Sequence, residues 1–461
     1  IFNLEFDAAK RVIETEKKDN NKNSIPYFLD NYIDFLSSFI SEEKVIFERF
    51  KDAEGERLER IKNDDASSPF YLYLQAEIYL QSGFTRFKFK EYFTAAYDIN
   101  KAYRLLKENS KLFPEFKANQ KSLGFLHTII GSIPDEYKWM GKIVGMTGTI
   151  QQGFDEISLA HNSFKGTSYE YIYPETSFLL AFINMSLLKN ELKAEKIIDD
   201  FVLNTASNSP LVKFTKANIA IHQGRNDKAI AILSDYKFDK NQFPLAYLYY
   251  QLGMCKLNKL DKSAEVFFLA YTNAFKGNSF VKAAYQKLAW HGLIFYGRDK
   301  YMSYMSLCKL KGADLIDEDK QALSEAKNKD FPNITLLKSR LLFDGGYYHE
   351  ALGQLGVKSE SYPTIKDKLE LTYRMGRIYH KAGEMDKAIQ YYEQTINNGS
   401  GQKFYFAANS ALELGNLYEH LKNYEKAKLY FKKCLSIRNH EYQNSIDQKA
   451  KAGLNRLGIY D

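Results

Sequence analysis

The chain has 461 residues, 45% of them hydrophobic and 26% charged, a balance that excludes a disordered polypeptide. Nine prolines and 26 glycines exclude collagen-like and linker-rich architectures. The 64 basic and 57 acidic side chains leave a net charge of +7, too dilute over this length to mark a nucleic-acid binder unless it gathers on one face.

In chain order, the first residue is Ile1 rather than Met. That points to an upstream segment removed, as a signal peptide would be, and so to the periplasm or cell envelope, with the cytoplasm as the alternative. Residues 19–23 are polar and low in complexity and read as a loop. Apolar spacings of three and four predict helices over 26–40, 43–62, 69–90 and 91–110. Ser68-Pro69 is a start signal of the N-cap then proline type, and Ala95, Ile99 and Ala102 have the spacing of a second hairpin helix. The densest basic stretch, 86–90, is broken by aromatics and reads as a solvated helix face. We assign residues 1–115 to an irregular helical N-terminal region.

Residues 116–165 are expected to form a glycine-rich helical insert. Gly124, Gly131, Gly141, Gly145, Gly148 and Gly153 crowd into it, with Trp139, one of two tryptophans. The plain expectation is a helix-loop-helix whose glycines permit tight corners. A second is a docking element for a partner or a membrane surface, because Trp139, Met140, Ile143 and Val144, with Met146, make an apolar patch flanked by Lys138 and Lys142. A phosphate loop is excluded: Gly145-Met-Thr-Gly-Thr lacks the Gly-Lys-Ser/Thr ending, and no strand precedes it.

From 166 to 461 the helices repeat. Met375, Gly376, Tyr379, Ala388, Tyr392 and Thr395 superpose without a gap on Leu414, Gly415, Tyr418, Ala427, Phe431 and Cys434. The alanine recurs at 194, 229, 264, 351, 388 and 427; the long interval before 351 hides a degenerate repeat with Tyr301 in the alanine position, followed by a short extra helix near 316–328. Gly224, Gly346 and Gly383 each stand five residues before their alanine, where a helix must end and turn. This pattern resembles the tetratricopeptide repeat (TPR), which implies an all-α, right-handed superhelix, an α-solenoid of about seven such hairpins. More narrowly, residues 68–200 resemble a eukaryotic helical-repeat family associated with the mitochondrial outer membrane and clearance of inclusion bodies, together with uncharacterised bacterial TPR proteins. That likeness rests on Gly131, Pro134, Gly145, Gly148 and Gly153.

Chemistry-bearing motifs are missing. His349-Glu350 starts like HExxH, but position 353 is Gly. Asp314, Asp317, Glu318 and Asp319 lack the glycine of a calcium loop and read as a solvated acidic turn. Cys255, Cys308 and Cys434 have no nearby His and fall in apolar helical contexts, and His127 lies on an apolar helical face. No catalytic, cofactor or metal residues are assigned. The TPR resemblance implies a groove lined by positions five and nine of each first helix. Tyr250, Met254, Trp290, Arg340, Tyr373, Arg377 and Asn416 are the candidate partner-binding residues there. The expected function is a non-enzymatic scaffold or adaptor that binds a polypeptide within a larger, cell-envelope complex, without nucleic acid; the alternative is a peripheral membrane organiser docking through 131–150.

Overall fold

The computed structural model describes residues 1–133, 145–202, 209–236, 239–328, 330–356 and 361–459, and all regular structure among them is helical. The helices expected before residue 115 are α2 (Ile25–Ser41), α3 (Lys44–Lys62), α4 (Pro69–Lys88) and α5 (Tyr92–Leu112), with an additional α1 (Phe6–Asp19) ahead of them. Within α1 only Phe6 and Ile13 are buried, so its charged remainder hides the apolar period. The Ser68 hydroxyl accepts the Phe70 N–H at 3.3 Å, capping α4 as its sequence signal requires. Contacts divide the chain into two units: 1–253 with 265–284 and 310–322, and 254–264 with 285–309 and 323–461. The division falls within the repeating hairpins.

In the first unit, α4 pairs with α5, α6 (Ala118–Ser132) with α7 (Ile150–Phe164), α8 (Tyr173–Phe182) with α9 (Glu191–Val202), and α10 (Pro210–His222) with α11 (Asn226–Ser234). α12 (Tyr247–Asn258) and α13 (Ala264–Ala274) come next in the chain. Ala95, Ala194 and Ala229 are fully buried where the paired helices meet. The glycines of α6 and α7 have a different use from the tight corners expected of them. A Cβ on Gly153 would stand 2.1 Å from Thr128 Oγ1 and 2.3 Å from the Gly124 carbonyl oxygen. The two backbones touch there, and any larger residue would force the helices apart. His127 is a packed core residue, its Nδ1 2.5 Å from Glu156 Oε2.

Two buried ionic groups tie this unit together. Lys121 Nζ on α6 lies 2.7 Å from Glu77 Oε2 on α4 and 3.0 Å from Glu175 Oε2 on α8, and Lys121 and Glu77 are 3% and 4% exposed. Burial opposes the lysine charge, but Glu175 and Glu77 hold its pKa well above the ordinary value. The second group corrects the reading of 314–319 as a solvated acidic turn at one residue: Asp314, Asp317 and Glu318 are exposed, but Asp319 is not. Asp319 is fully buried and accepts the backbone N–H groups of Phe280 at 2.7 Å and Ala283 at 2.9 Å. It caps the start of α14 (Val281–Phe295), and burial pushes its carboxyl up to about 6. Sequence spacing could not reveal this because the capped amides lie more than thirty residues upstream.

The second unit holds most of the repeats. α15 (Arg298–Leu310) follows α14; then come α17 (Ile334–Asp344) with α18 (Tyr348–Leu355), α19 (Ile365–Lys381) with α20 (Met385–Gly399), α21 (Phe406–His420) with α22 (Tyr424–Ser436), and α23 (Gln443–Arg456). Ala351, Ala388 and Ala427 are fully buried. A Cβ on Gly376 would meet Tyr392 at 2.7 Å and one on Gly415 would meet Phe431 at 2.5 Å, so in each hairpin a glycine in the first helix makes room for a ring in the second. The turn glycines Gly346 and Gly383 both have φ of +82°, the left-handed geometry their spacing implied. The extra helix is α16 (Asp317–Lys327). It accounts for the degenerate repeat: Tyr301 is 3% exposed in the alanine position, and its hydroxyl donates to Glu325 Oε1 of α16 at 3.1 Å.

Candidate functional site

The predicted groove residues divide between the units: Tyr250 lies in the first, and Met254, Trp290, Arg340, Tyr373, Arg377 and Asn416 in the second. Tyr250 is 5% exposed, with Phe268, Tyr271 and Phe280 ring centroids within 5.8 Å. Burial drives its phenol pKa well above the usual value. It is a core residue and presents no surface to a partner. Met254 is half-buried.

In the second unit the first helices are set by strong start signals. The Asn333 side chain accepts the N–H groups of Thr335 and Leu336 at the head of α17. Thr364 and Asp367 form a reciprocal capping box at the head of α19. These caps fix the phase in which positions five and nine emerge. Position five is buried throughout: Gln286 5%, Leu336 1%, Tyr373 2% and Leu412 3% exposed. Tyr373 shows the cause, because the next hairpin covers it. Its hydroxyl accepts from Asn409 Nδ2 at 2.5 Å, and Phe406 and Tyr405 pack on the ring at 5.5 and 5.8 Å. Tyr373 is therefore a wedge between hairpins and not an open contact.

Position nine is where side chains emerge. Met254, Arg340, Arg377 and Asn416 are each half-buried there; Trp290, the fifth, is 7% exposed. The Trp290 indole N–H donates to Glu325 Oε1 at 2.7 Å, and Glu325 also accepts from Gln286 Nε2 at 2.5 Å. Trp290 is thus anchored by α16, with Lys287 Nζ 3.5 Å and the Arg340 guanidinium 4.1 Å from its ring centroid. Arg377 repeats the arrangement one hairpin on, 4.4 Å from the Phe343 ring and 5.9 Å from Tyr373. Burial works against the Arg377 charge, while Tyr373, Glu413 and Asp344 raise its pKa above the ordinary arginine value. A neighbouring pair is fully spent: Arg374 Nε donates to Glu370 Oε1 at 2.8 Å, and against burial Arg374, Arg340 and Lys366 hold Glu370 below its ordinary value. Among the described residues, neither Arg340 nor Arg377 makes a hydrogen bond or ion pair. Their guanidiniums lie on aromatic faces with their N–H donors uncommitted.

Sequence reasoning missed Glu325, Lys287 and Phe343. Phe343 and Arg377 sit on successive first helices, a pairing the repeat phase could have signalled; Glu325 sits on the inserted helix, outside that phase. The predicted docking residues Trp139, Met140, Ile143 and Val144 lie outside the described residues, whereas Met146 is 7% exposed. Among the described residues no three His, Cys, Asp or Glu side chains gather to hold a metal ion, and no helix is long and apolar enough to cross a membrane. The three cysteines are buried, and burial pushes Cys255 and Cys434 up to about 12, so these two remain thiols at neutral pH.

The fold and this surface define an all-α protein of stacked helical hairpins that presents paired arginines along one row of helices. Residues 367–440 match the tetratricopeptide repeat family model; residues 68–200, with their narrower likeness, lie outside that match. Among solved structures, the chain is similar to the P58(IPK) TPR domain at 14% identity, covering 89% of this chain and 97% of that one, with a TM-score of 0.24. It is similar to yeast Tom70 at 13% identity, covering 98% and 96%, and to a chain of the APC/C hetero-tetramer Cut9–Hcn1 at 12% identity, covering 96% and 92%, each with a TM-score of 0.24. TM-scores this low do not define a shared arrangement of repeats. No curated protein sequence matches the chain.

Proposed function

We propose that the protein is a non-enzymatic scaffold that binds a polypeptide partner across position nine of the hairpins in its second unit. The observation that carries this reading is that Arg340 and Arg377, one hairpin apart, each lie over a ring, 4.1 Å from Trp290 and 4.4 Å from Phe343, while among the described residues their donors stay uncommitted. A guanidinium fixed by stacking loses little rotamer freedom on binding, and arginine beside aromatics is enriched where interfaces carry their energy. The two guanidiniums suit a segment that offers carboxylates or backbone carbonyls, with Asn416 adding an amide one hairpin further. The reading places this partner within a larger cell-envelope assembly, which subcellular fractionation against a cytoplasmic marker tests.

The functional experiment is the double variant Arg340→Glu/Arg377→Glu, with a photocrosslinking residue at Asn416 in both backgrounds. The parent protein should give discrete crosslinked partners, and the double variant should lose them. Stability should fall by no more than about 1 to 2 kcal/mol, the worth of two partly exposed cation–π contacts. An unchanged crosslinking pattern in the double variant would overturn the reading.

A further inference from the structure

A second surface lies in the first unit, on the solvent side of α5. Phe93, Tyr97, Asn100, Arg104, Lys107 and Lys111 recur at spacings of three and four, which places them in one arc of the helix. The opposite arc, with Ala95, Asp98, Ala102, Leu105, Leu106 and Asn109, is buried. Phe93 is 96% and Tyr97 65% exposed. Beside them Phe87 and Tyr92, also exposed, meet edge to face at 5.2 Å. The first turns of α5 thus hold an exposed aromatic group in a chain where rings of this size are mostly internal wedges.

The charges further along α5 are solvent-facing. Of the cations around them, Lys51 pairs with Glu91 at 2.8 Å, Arg86 with Asp98 at 3.0 Å and Lys88 with Glu42 at 2.9 Å, whereas Lys90 and Lys101 are exposed and, among the described residues, make no ion pair. Arg104, Lys107 and Lys111 are exposed, and among the described residues none makes an ion pair or hydrogen bond. Beside them the surface recesses into a cavity of about 740 Å³ lined by Tyr97, Tyr103, Arg104, Lys107 and Lys111, with one carboxylate, Glu108, among the three cations.

We propose that this stripe binds an acidic amphipathic segment of a partner protein, its apolar end on Phe93 and Tyr97 and its carboxylates along Arg104, Lys107 and Lys111. Charge complementarity sets the sign of the partner. The segregation of rings from cations sets its form: a single-stranded nucleic acid needs rings interleaved with cations so that bases stack between phosphate contacts. From Phe93 to Lys111 the stripe is ~27 Å long at helical rise, enough for about five turns of a partner helix.

The test uses the full chain and a fluorescein-labelled acidic amphipathic peptide of about 20 residues, read by anisotropy. Binding should saturate and weaken with salt. Arg104→Glu/Lys107→Glu/Lys111→Glu should raise Kd at least about tenfold and flatten the salt dependence. Phe93→Ser/Tyr97→Ser should weaken binding several-fold with the salt dependence retained. Circular dichroism melts of both variants should match the parent, since none of these side chains is buried. Parent and α5 variants all carry Arg340→Glu/Arg377→Glu, so that any binding of the acidic peptide at the second unit is removed and the readings report on the α5 surface alone. The proposal falls if the peptide does not saturate, if both α5 variants bind it as the parent does, or if phosphatidylserine vesicles or a single-stranded oligonucleotide bind α5 more tightly than the peptide.

Discussion

Phe431 is fully buried between two glycines: a Cβ at Gly415 would stand 2.5 Å from its ring, and one at Gly453 would also stand 2.5 Å away. Replacing Gly415 with Ala should therefore overpack the hairpin and cost about 1 to 3 kcal/mol, despite alanine's better helix propensity. Gly353 on α18 is the control, exposed and with nothing within 4 Å of a Cβ. Gly353→Ala should stabilise by roughly 0.5 to 1 kcal/mol. Urea denaturation measures both, and equal signs would refute the packing account. These positions were legible in the sequence because close packing demands a glycine opposite a ring at a fixed offset. The burial of Tyr250, Trp290 and Tyr373 was not. A repeat position says which side of a helix a residue takes, whereas its exposure depends on what the next helix lays over it, as Asn409 and Phe406 do over Tyr373.

Elements within a period were well located, and those outside it were less so. α16 was expected from its extra residues, but its role was not. Glu325 collects the Trp290 indole, the Tyr301 hydroxyl and the Gln286 amide, and so supports a hairpin that lacks its alanine. α1 escaped notice because only two of its residues reach the core. The link between α4, α6 and α8 through Lys121, Glu77 and Glu175 was also invisible, because three residues spread over about a hundred positions share no local pattern. Lys121→Met should destabilise by about 3 to 5 kcal/mol, since it leaves Glu77 charged and buried with no cation and only the Ser122 hydroxyl donating to it. Adding Glu77→Leu should recover much of that loss. Urea midpoints for the single and double variants measure the coupling; a double variant no more stable than the single would remove the account.

At the scale of the whole molecule, contacts gather into two units although the hairpin pattern runs on across their boundary. Repeat arrays are held by neighbour-to-neighbour contacts, so cooperativity need not extend over the full chain. In a Trp139→Phe background, Trp290 becomes the only tryptophan and reports on the second unit alone. Its urea transition should be displaced from the one followed by circular dichroism, which averages all helices. Superimposable transitions would show a single cooperative block.

Sequence alone settled the helical class, the position of each hairpin from Ala194 onward, the turn glycines and the extra helix. Each of these follows from the 3.6-residue period and from contacts within one hairpin, which short-range spacing records. Tertiary structure decided which aromatics are sealed inside, that Asp319 caps a distant helix, that Arg340 and Arg377 rest on rings supplied by neighbouring helices, and that Phe93, Tyr97, Arg104, Lys107 and Lys111 of α5 are exposed. The physical reason is that burial and charge pairing are properties of neighbours in space, and those neighbours come from other hairpins.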